Sequence, residues 1–218
     1  MQSKKMRWTA SMFWSSIGKK LLMALTGFCL CGFLITHLFG NLLLYSGKET
    51  FNAYSERLNS LGLIIRFIEL GLLFFAVIHV IIGATLFFQN LKARPVQYIV
   101  NKRAGGRTIG SATMPYTGFL LLTFVIFHLI NFHFTDKTYA TIYQIVSSTF
   151  TKPGYVAIYI AAMFITAIHI RHGFWSAFQT IGANHPKYMP VIRVISILFS
   201  IILGIGFGSI PIYMSLTG

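Results

Sequence analysis

Residues 63–88 read LIIRFIELGLLFFAVIHVIIGATLFF, and only Arg66, Glu69 and His79 in this stretch are ionisable. An apolar helix of about 20 residues crosses the hydrocarbon core of a bilayer. The stretch is longer than that, so it predicts a transmembrane helix with a histidine well inside the membrane. Ionisable side chains are rare within such helices and are usually functional.

The composition of the whole chain indicates the same class of protein. Of the 218 residues, 55% are hydrophobic and only 10% are charged, whereas soluble domains carry about 25% charged residues. This composition excludes a soluble globular protein. The net charge of +14 could suggest nucleic-acid binding, but the basic residues lie between long apolar runs. We therefore expect the lipid bilayer, and no nucleic acid, as a partner.

Five apolar runs are long enough to span a bilayer, and they predict an all-α integral membrane protein. Arg94-Pro95 is predicted to close the second helix, while Pro115, Pro153 and Pro190 open the third, fourth and fifth. No separate soluble domain and no clear internal repeat are apparent. Residues 1–20 are expected to form an interfacial N-terminal segment and residues 21–218 one membrane domain, with helices at about 21–45, 63–88, 114–134, 155–170 (extended to about 178) and 191–214.

The basic residues predict the orientation, because the side of a membrane domain richer in Lys and Arg faces the cytoplasm. Thirteen of the 18 basic residues fall on the side that includes the N-terminus, so we expect a cytoplasmic N-terminus and a C-terminus outside. These thirteen are Lys4, Lys5, Arg7, Lys19, Lys20, Lys92, Arg94, Lys102, Arg103, Arg107, Arg171, Lys187 and Arg193.

The first four predicted helices carry one histidine each: His37, His79, His128 and His169. With a rise of about 1.5 Å per residue, His37 and His128 lie in the outer portions of their helices. His169 lies near the cytoplasmic end of its helix, and His79 lies nearer the middle. We call His37 and His128 the outer pair, and His79 and His169 the inner pair.

A single histidine in a membrane helix more often forms a helix–helix hydrogen bond or lines a cavity than binds a metal. Four histidines on consecutive helices, sorted into two depths, favour two haems instead, because neutral imidazoles on facing helices can hold one iron between them. Cys29 and Cys31 are predicted to stay unpaired, and no Cys-x-x-Cys-His motif is present, so the haems would be b-type.

Other residues near these histidines give weaker signals. Gly40, Gly83 and Gly173 follow three of the histidines by three or four residues, where they would leave room for a flat macrocycle. His172 with Arg171 could contact a haem propionate at the inner edge, or lipid headgroups equally well. Two further histidines receive no cofactor role: His133 is expected at the outer interface and His185 in a loop.

Three motifs together resemble a known family. The fourth helix reads HIRHGFWSAFQTIG over residues 169–182, the first reads THLFGNL over residues 36–42, and Ala93-Arg94-Pro95 follows the second. They resemble the di-haem cytochrome b subunit of the succinate:quinone oxidoreductases, which include succinate dehydrogenases and quinol:fumarate reductases. The resemblance covers nearly the whole chain and implies a bacterial inner-membrane protein whose first four helices form a bundle around two stacked haems.

The resemblance also implies partners and roles. The subunit would anchor a flavoprotein and an iron–sulfur protein on the cytoplasmic face and pass electrons between the iron–sulfur protein and menaquinone or menaquinol. The inner pair would bind the proximal haem and the outer pair the distal haem. Basic residues on the inner side would dock the partner and pair with haem propionates.

Proton transfer at the quinone site requires a group that accepts protons, and the chain has only Glu49, Glu56, Glu69 and Asp136. The resemblance favours Glu56, expected in the loop after the first helix. Glu69 is the second candidate, although Arg66, three residues earlier on the same helix, is expected to neutralise it. Some relatives carry a glutamate where this chain has Ala167, so their transmembrane proton path is not predicted here.

Other classes of protein remain as alternatives. A secondary transporter would use broken helices, and Gly204, Gly206 and Gly208 in the last helix could indicate one, but that helix has no buried charge. A haem-free membrane anchor would leave four membrane histidines without a shared purpose. The cytochrome b subunit of a hydrogenase or formate dehydrogenase is disfavoured by the fourth-helix motif.

Overall fold

The structure is a computed structural model that describes residues 15–93 and 108–217. These residues form helices and short connections, with no strand among them. In chain order the helices are α1 (Ser16–Leu42), α2 (Lys48–Ser60), α3 (Leu63–Lys92), α4 (Ile109–His128), α5 (Ile142–Phe150), α6 (Pro153–Thr180) and α7 (Met189–Thr217), with a 3₁₀ turn at Leu43–Ser46 and a π-helical turn at Leu129–His133.

Five of these helices, α1, α3, α4, α6 and α7, are long and apolar enough to cross a membrane. The predicted all-helical fold with five helices long and apolar enough to span a membrane is therefore confirmed for the described residues. Pro153 opens α6 and Pro190 lies in the first turn of α7, as expected. Pro115 is different, because α4 begins at Ile109 and Pro115 lies inside it. The start of the third helix was predicted too late, because Thr108, Ser111 and Thr113 lower the mean hydropathy of its first turns.

The first four spanning helices pack in a ring. Helix α1 contacts α3 and α6, and α4 contacts the same two neighbours from the other side. The two helices at each diagonal of this ring therefore face each other across the bundle: α1 faces α4, and α3 faces α6. Helix α7 lies outside the ring against α6 and α1. It approaches α6 closely, because a Cβ added at Gly204 would lie 3.1 Å from that of Ala167.

Two short helices cover one end of the bundle. Helix α2 lies between glycines of positive φ, Gly47 at 95° and Gly62 at 56°, which permit the sharp turns on either side of it. Helix α5 packs against α7, α2 and α6. A buried apolar cluster joins them to the spanning helices, and its members are Leu44, Phe51, Val146, Phe150, Tyr159, Ile210 and Met214.

The two ends of the bundle differ in charge. We call the end at which α1 begins the basic side and the end covered by α2 and α5 the far side. Six of the described basic residues lie on the basic side and five on the far side, so the predicted excess depends on residues outside the described ranges and stays a prediction. The acidic residues differ more clearly, since Glu49 and Glu56 lie on α2 at the far side. Glu56 is therefore helical, and its assignment to a loop is wrong because α2 is too polar to be recognised from hydropathy.

Some predictions concern residues outside the described ranges. They are the first 14 residues of the predicted interfacial segment, the Arg94-Pro95 helix end, and seven of the basic residues, namely Lys4, Lys5, Arg7, Arg94, Lys102, Arg103 and Arg107. The last residues of that predicted segment belong to α1, which begins at Ser16. The orientation of the protein in its membrane stays a prediction.

Candidate functional site

The four predicted histidines lie on the four helices of the ring. His37 on α1 and His128 on α4 occupy one diagonal, and their ring centroids are 5.9 Å apart. His79 on α3 and His169 on α6 occupy the other diagonal. The structure thus brings together the same two pairs that the sequence predicted, and ligation by them stays a prediction.

His79 is held by a threonine on the neighbouring helix. Its Nδ1 lies 3.0 Å from Oγ1 of Thr26 on α1. The Thr26 hydroxyl also lies 2.8 Å from the carbonyl oxygen of Leu22 and 3.2 Å from that of Met23, so its proton is donated back to its own helix. The hydroxyl oxygen then accepts from Nδ1–H, and this tautomer leaves the Nε2 lone pair of His79 free.

His169 has the same environment on the other side of the ring. Its Nδ1 lies 3.0 Å from Oγ1 of Thr117 on α4, and Thr117 reaches the carbonyl oxygens of Thr113 and Met114, each at 3.1 Å. Histidines that bind metals usually donate their second ring N–H to a fixed acceptor. Both members of the inner pair are arranged in this way, which the sequence reasoning missed.

The two pairs lie at two depths. Thr26, which marks the level of His79, precedes His37 by eleven residues on α1, and Thr117 precedes His128 by eleven on α4. Eleven residues of helix correspond to roughly 16 Å along the axis and about three turns, so each threonine and histidine share a face. The inner pair is therefore nearer the basic side and the outer pair nearer the far side.

The outer pair has looser polar partners. The amide Nδ2 of Asn41 lies 3.4 Å from both ring nitrogens of His37 and donates more closely, at 2.8 Å, to the His37 carbonyl oxygen. The Tyr159 hydroxyl lies 3.4 Å from Nδ1 of His128. Aromatic rings complete the surroundings, since Phe207 packs on His37. Neither imidazole is fixed in one tautomer by these contacts.

An unpaired donor lies beside the outer pair. Nδ2 of Asn131, three residues after His128, is buried without a hydrogen-bond partner among the described residues, although its amide is close enough to Tyr159 to interact with it. A buried donor that lacks an acceptor costs about 1–3 kcal/mol. An acceptor supplied by a ligand would remove this cost.

The glycines follow a different pattern from the one predicted. A Cβ added at Gly40 would lie 2.6 Å from the Tyr54 hydroxyl, so the space at Gly40 is filled by Tyr54. The histidines are instead approached by glycines of neighbouring helices, with Gly27 3.4 Å from His79 and Gly118 3.5 Å from His169 by the same measure. The predicted room for a macrocycle on the histidine's own helix stays a prediction. Gly83 and Gly173 each face a methionine, Met23 and Met114 respectively.

These contacts reveal an internal correspondence that the sequence analysis did not recognise. Met23, Thr26, Gly27 and His37 on α1 recur 91 residues later, as Met114, Thr117, Gly118 and His128 on α4. His79 and Gly83 on α3 recur 90 residues later, as His169 and Gly173 on α6. The sequence signal was a Thr-Gly pair whose threonine lies eleven residues before a histidine. This pattern occurs twice in the chain.

The remaining predicted site residues lie at the ends of the bundle. His172 lies on α6 beside the start of α4, with Nδ1 3.5 Å from the Thr108 hydroxyl, and its ring packs edge-on against Trp175. Arg171 is exposed. His133 is exposed at the far side, and its place at the outer membrane interface stays a prediction. His185 lies in the loop before α7, as predicted. Cys29 and Cys31 are free, also as predicted.

The four acidic side chains differ in what they contact. Glu69 accepts a hydrogen bond from Arg66 at 3.0 Å, as predicted. Asp136 accepts from the backbone N and hydroxyl of Thr138, and these bonds lower the pKa of the Asp136 carboxyl. Glu56 is exposed and lines an open far-side cleft of about 380 Å³ between α2 and the loop before α5. Polar groups from both elements surround it, including Asn52, Ser55, Asn59, Lys137, Thr138, Thr141 and Gln144.

The donor set fits a b-type haem at each pair. Each pair supplies two imidazoles from diagonal helices, the inner pair has its Nε2 lone pairs free, and the outer pair has an orphaned amide beside it. The chain matches no known protein family, no curated protein and no solved structure.

Proposed function

We propose that this protein is the di-haem cytochrome b subunit of a succinate:quinone oxidoreductase, either a succinate dehydrogenase or a quinol:fumarate reductase. It would bind two b haems, anchor a flavoprotein and an iron–sulfur protein, and transfer electrons between the latter and menaquinone or menaquinol. Dicarboxylate chemistry would take place in the flavoprotein. The motifs at residues 36–42 and 169–182 are the source of the family assignment.

One observation carries the haem part of the proposal. Thr26 and Thr117 hold Nδ1 of His79 and His169 at 3.0 Å from opposite sides of the ring, with both Nε2 lone pairs left available. A structural histidine in an apolar bundle would need partners for both ring nitrogens. Two diagonal histidines that each satisfy one nitrogen and present the other are suited to hold one iron between them.

Haem would supply a one-electron carrier, and the two histidine pairs would hold one haem each at two depths of the bundle. The outer pair lies roughly 16 Å farther across the bundle than the inner pair. Electrons would therefore cross most of the apolar layer between the basic side and the far side. Aromatic rings, including those of Phe124 and Tyr159, pack around His128 and give the outer site apolar surroundings.

On the far side, Glu56 is the group best placed to accept protons from quinol. It lines the open cleft, whereas Glu69 is paired with Arg66 and Asp136 is engaged by Thr138. A paired or hydrogen-bonded carboxylate is a weaker base than a free one. Glu69 is accordingly the lesser candidate, and its pairing with Arg66 argues for a structural role.

On the basic side, the absence of acids supports docking of a negatively charged partner. All four acidic side chains of the chain lie in α2, in the first two turns of α3 or in the loop before α5. The basic side is thus uniformly positive, which attracts both an acidic protein face and anionic lipid headgroups.

The other classes of protein have less support. A transporter with a broken last helix is disfavoured because α7 is continuous from Met189 to Thr217, and Gly204 and Gly206 pack against Ala167 and Leu38. A haem-free anchor gives no reason for two matched threonine–histidine contacts.

The test is a reduced-minus-oxidised spectrum with pyridine haemochrome quantification on the detergent-purified protein. We expect two b haems per chain, in a preparation that also contains flavin and iron–sulfur subunits. One haem would mean that one histidine pair is wrongly assigned. A protein isolated without haem after expression in a haem-producing host would refute the proposal and favour the anchor or the transporter.

A further inference from the structure

One face of α3 is exposed over about five turns of the helix. Its residues follow one another at intervals of three or four, the spacing that keeps side chains on one side of a helix. Its large apolar side chains are exposed by fractions between 38% at Val80 and 62% at Leu70. We call this surface the α3 face, and it consists of Arg66, Leu70, Leu73, Val77, Val80 and Ala84. Lipid is the ordinary cover for such a face, and two features of this one favour protein instead.

The counterpart of the α3 face lies on α6, 90 residues later in the chain, and α7 covers it. Ala167 lies against a glycine of α7, and the ring centroid of Phe174 lies 5.0 Å from that of Phe199. The residues of α3 that correspond to Ala167 and Phe174 are Val77 and Ala84. The same face therefore occurs twice in this chain, and in its second occurrence the partner is a helix.

A charged pair lies at the far-side end of the α3 face. The Arg66 guanidinium donates to the Glu69 carboxylate at 3.0 Å, and the two side chains are 67% and 39% exposed. Glu69 lies ten residues from His79 along α3, a rise of roughly 15 Å, so it is level with the outer pair. Charged side chains within a membrane span rarely face lipid and usually pair with other protein groups.

The arrangement of these two charges is self-complementary. A twofold axis perpendicular to the membrane brings the same face of two copies together at the same depth. Arg66 of one copy then meets Glu69 of the other, and the reverse pair forms as well. The spacing of three and four residues along the rest of the face is also the pattern with which two parallel helices pack along their length.

We propose that two copies of this protein associate through the α3 face, with Arg66 of each protomer paired to Glu69 of its partner. Helix α3 of one protomer packs along α3 of the other over roughly 27 Å, from Arg66 to Ala84. The twofold axis passes near Val77, at the middle of the face. Helix α3 thus gains the kind of partner that α6 has in α7. This inference goes beyond the proposed function and does not depend on bound haem.

The test is disulfide cross-linking of the full-length protein in its native membrane, with Val77→Cys compared with Ile201→Cys. Val77 on α3 is 46% exposed and Ile201 on α7 is 47% exposed, so the two positions are matched in exposed fraction. Both variants also carry Cys29→Ala and Cys31→Ala, which remove the free thiols of the described chain. We expect a covalent dimer of the Val77→Cys variant, because a residue near a twofold axis lies close to its own copy. The Ile201→Cys variant should stay monomeric.

Charge substitutions added to the Val77→Cys variant test the reciprocal ion pair. Arg66→Glu places like charges at the interface and should lower the yield of cross-linked dimer about tenfold. Arg66→Glu combined with Glu69→Arg exchanges the two charges and should restore the yield. Arg66→Gln only removes one charge, so it should give a smaller loss, and it serves as the test if Arg66→Glu does not insert into the membrane.

Three outcomes would contradict the proposal. Equal cross-linking of the Val77→Cys and Ile201→Cys variants would refute the α3 interface. A cross-link from the Val77→Cys variant to a different polypeptide would show that the partner is not a second copy. A dimer whose yield is unchanged by the Arg66 substitutions would overturn the reciprocal ion pair. The haem content measured for the proposed function is decided separately from all three.

Discussion

The inner and outer histidine pairs are built from the same residue type and hold their side chains differently. In the inner pair each Nδ1 meets a threonine hydroxyl at 3.0 Å, and that hydroxyl is fixed by its own helix. In the outer pair the polar partners are an asparagine and a tyrosine at 3.4 Å, surrounded by aromatic rings. The inner site is therefore preorganised by hydrogen bonds, and the outer site mainly by apolar packing.

The two histidine pairs also differ in the groups that lie on their side of the bundle. If each pair holds a haem, as proposed, the Lys19 ammonium on the basic side would favour the reduced state of the inner haem over that of the outer haem. The outer site has an orphaned amide and lies on the side of the open cleft at Glu56. A less constrained site can adjust its contacts when a second molecule binds there. We expect the inner haem to have the higher midpoint potential.

The largest expected effect is the loss of one haem from each pair. His79→Ala should remove the inner haem alone, and His128→Ala should remove the outer haem together with quinone activity, because each iron would lose an axial ligand. Haem-to-protein ratios by pyridine haemochrome check this, with partner attachment measured by co-purification. His133→Ala, at an exposed histidine near His128, is the control and should retain both haems. Two haems in His128→Ala would refute the ligand assignment.

The next effect separates the two acidic candidates near the outer pair. Glu56→Gln should lower quinol oxidation by roughly 10²–10⁴-fold, the usual contribution of a general base, without loss of either haem. Glu69→Gln should change the rate little, because its carboxylate is already paired with Arg66. Steady-state turnover with a menaquinol analogue is the measurement. Glu49→Gln is a control on the same helix, and equal losses in all three variants would contradict a specific role for Glu56.

A smaller effect is expected from the threonines of the inner pair. Thr117→Val keeps the shape of the side chain but removes the acceptor for His169 Nδ1, and haem affinity at the inner pair should fall by roughly 10–100-fold. Haem retention during dialysis against apomyoglobin measures this change. Thr123→Val on the same helix is a matched control, because Thr123 is exposed and donates to Phe119 in the same manner. An equal change in both variants would indicate a general effect on α4.

The smallest effect concerns the orphaned amide. Asn131→Leu should stabilise the haem-free protein by about 1 kcal/mol, since an unsatisfied buried donor is removed. In the haem-loaded protein the same change should be neutral or destabilising, because the amide then finds an acceptor. Thermal unfolding in detergent with and without haem gives both values. Stabilisation of equal size in both forms would mean that Asn131 meets no ligand.

The sequence predicted the spans and the histidine pairs because both follow from hydropathy and from helical rise. It predicted the Arg66–Glu69 contact because residues three apart on a helix are neighbours. It did not predict α2 or α5, since short polar helices lack a long apolar run. The contacts of Thr26 with His79 and of Tyr54 with Gly40 depend on how helices meet, which hydropathy does not specify. Likewise, Lys19 was interpreted as a topology signal, and its burial emerges only from packing against α3.

The correspondence between α1–α3 and α4–α6 also defines a symmetry. The two hairpins run in the same direction across the bundle, so the axis that relates them is perpendicular to the membrane plane, in contrast to the in-plane axes of inverted-repeat transporters. Two identical copies of one hairpin, related by such an axis, would already contain a complete inner pair and a complete outer pair. The two halves of this chain are not identical. Lys19 in the first half corresponds to Gly110 in the second, and the ring of His172 lies against Gly110.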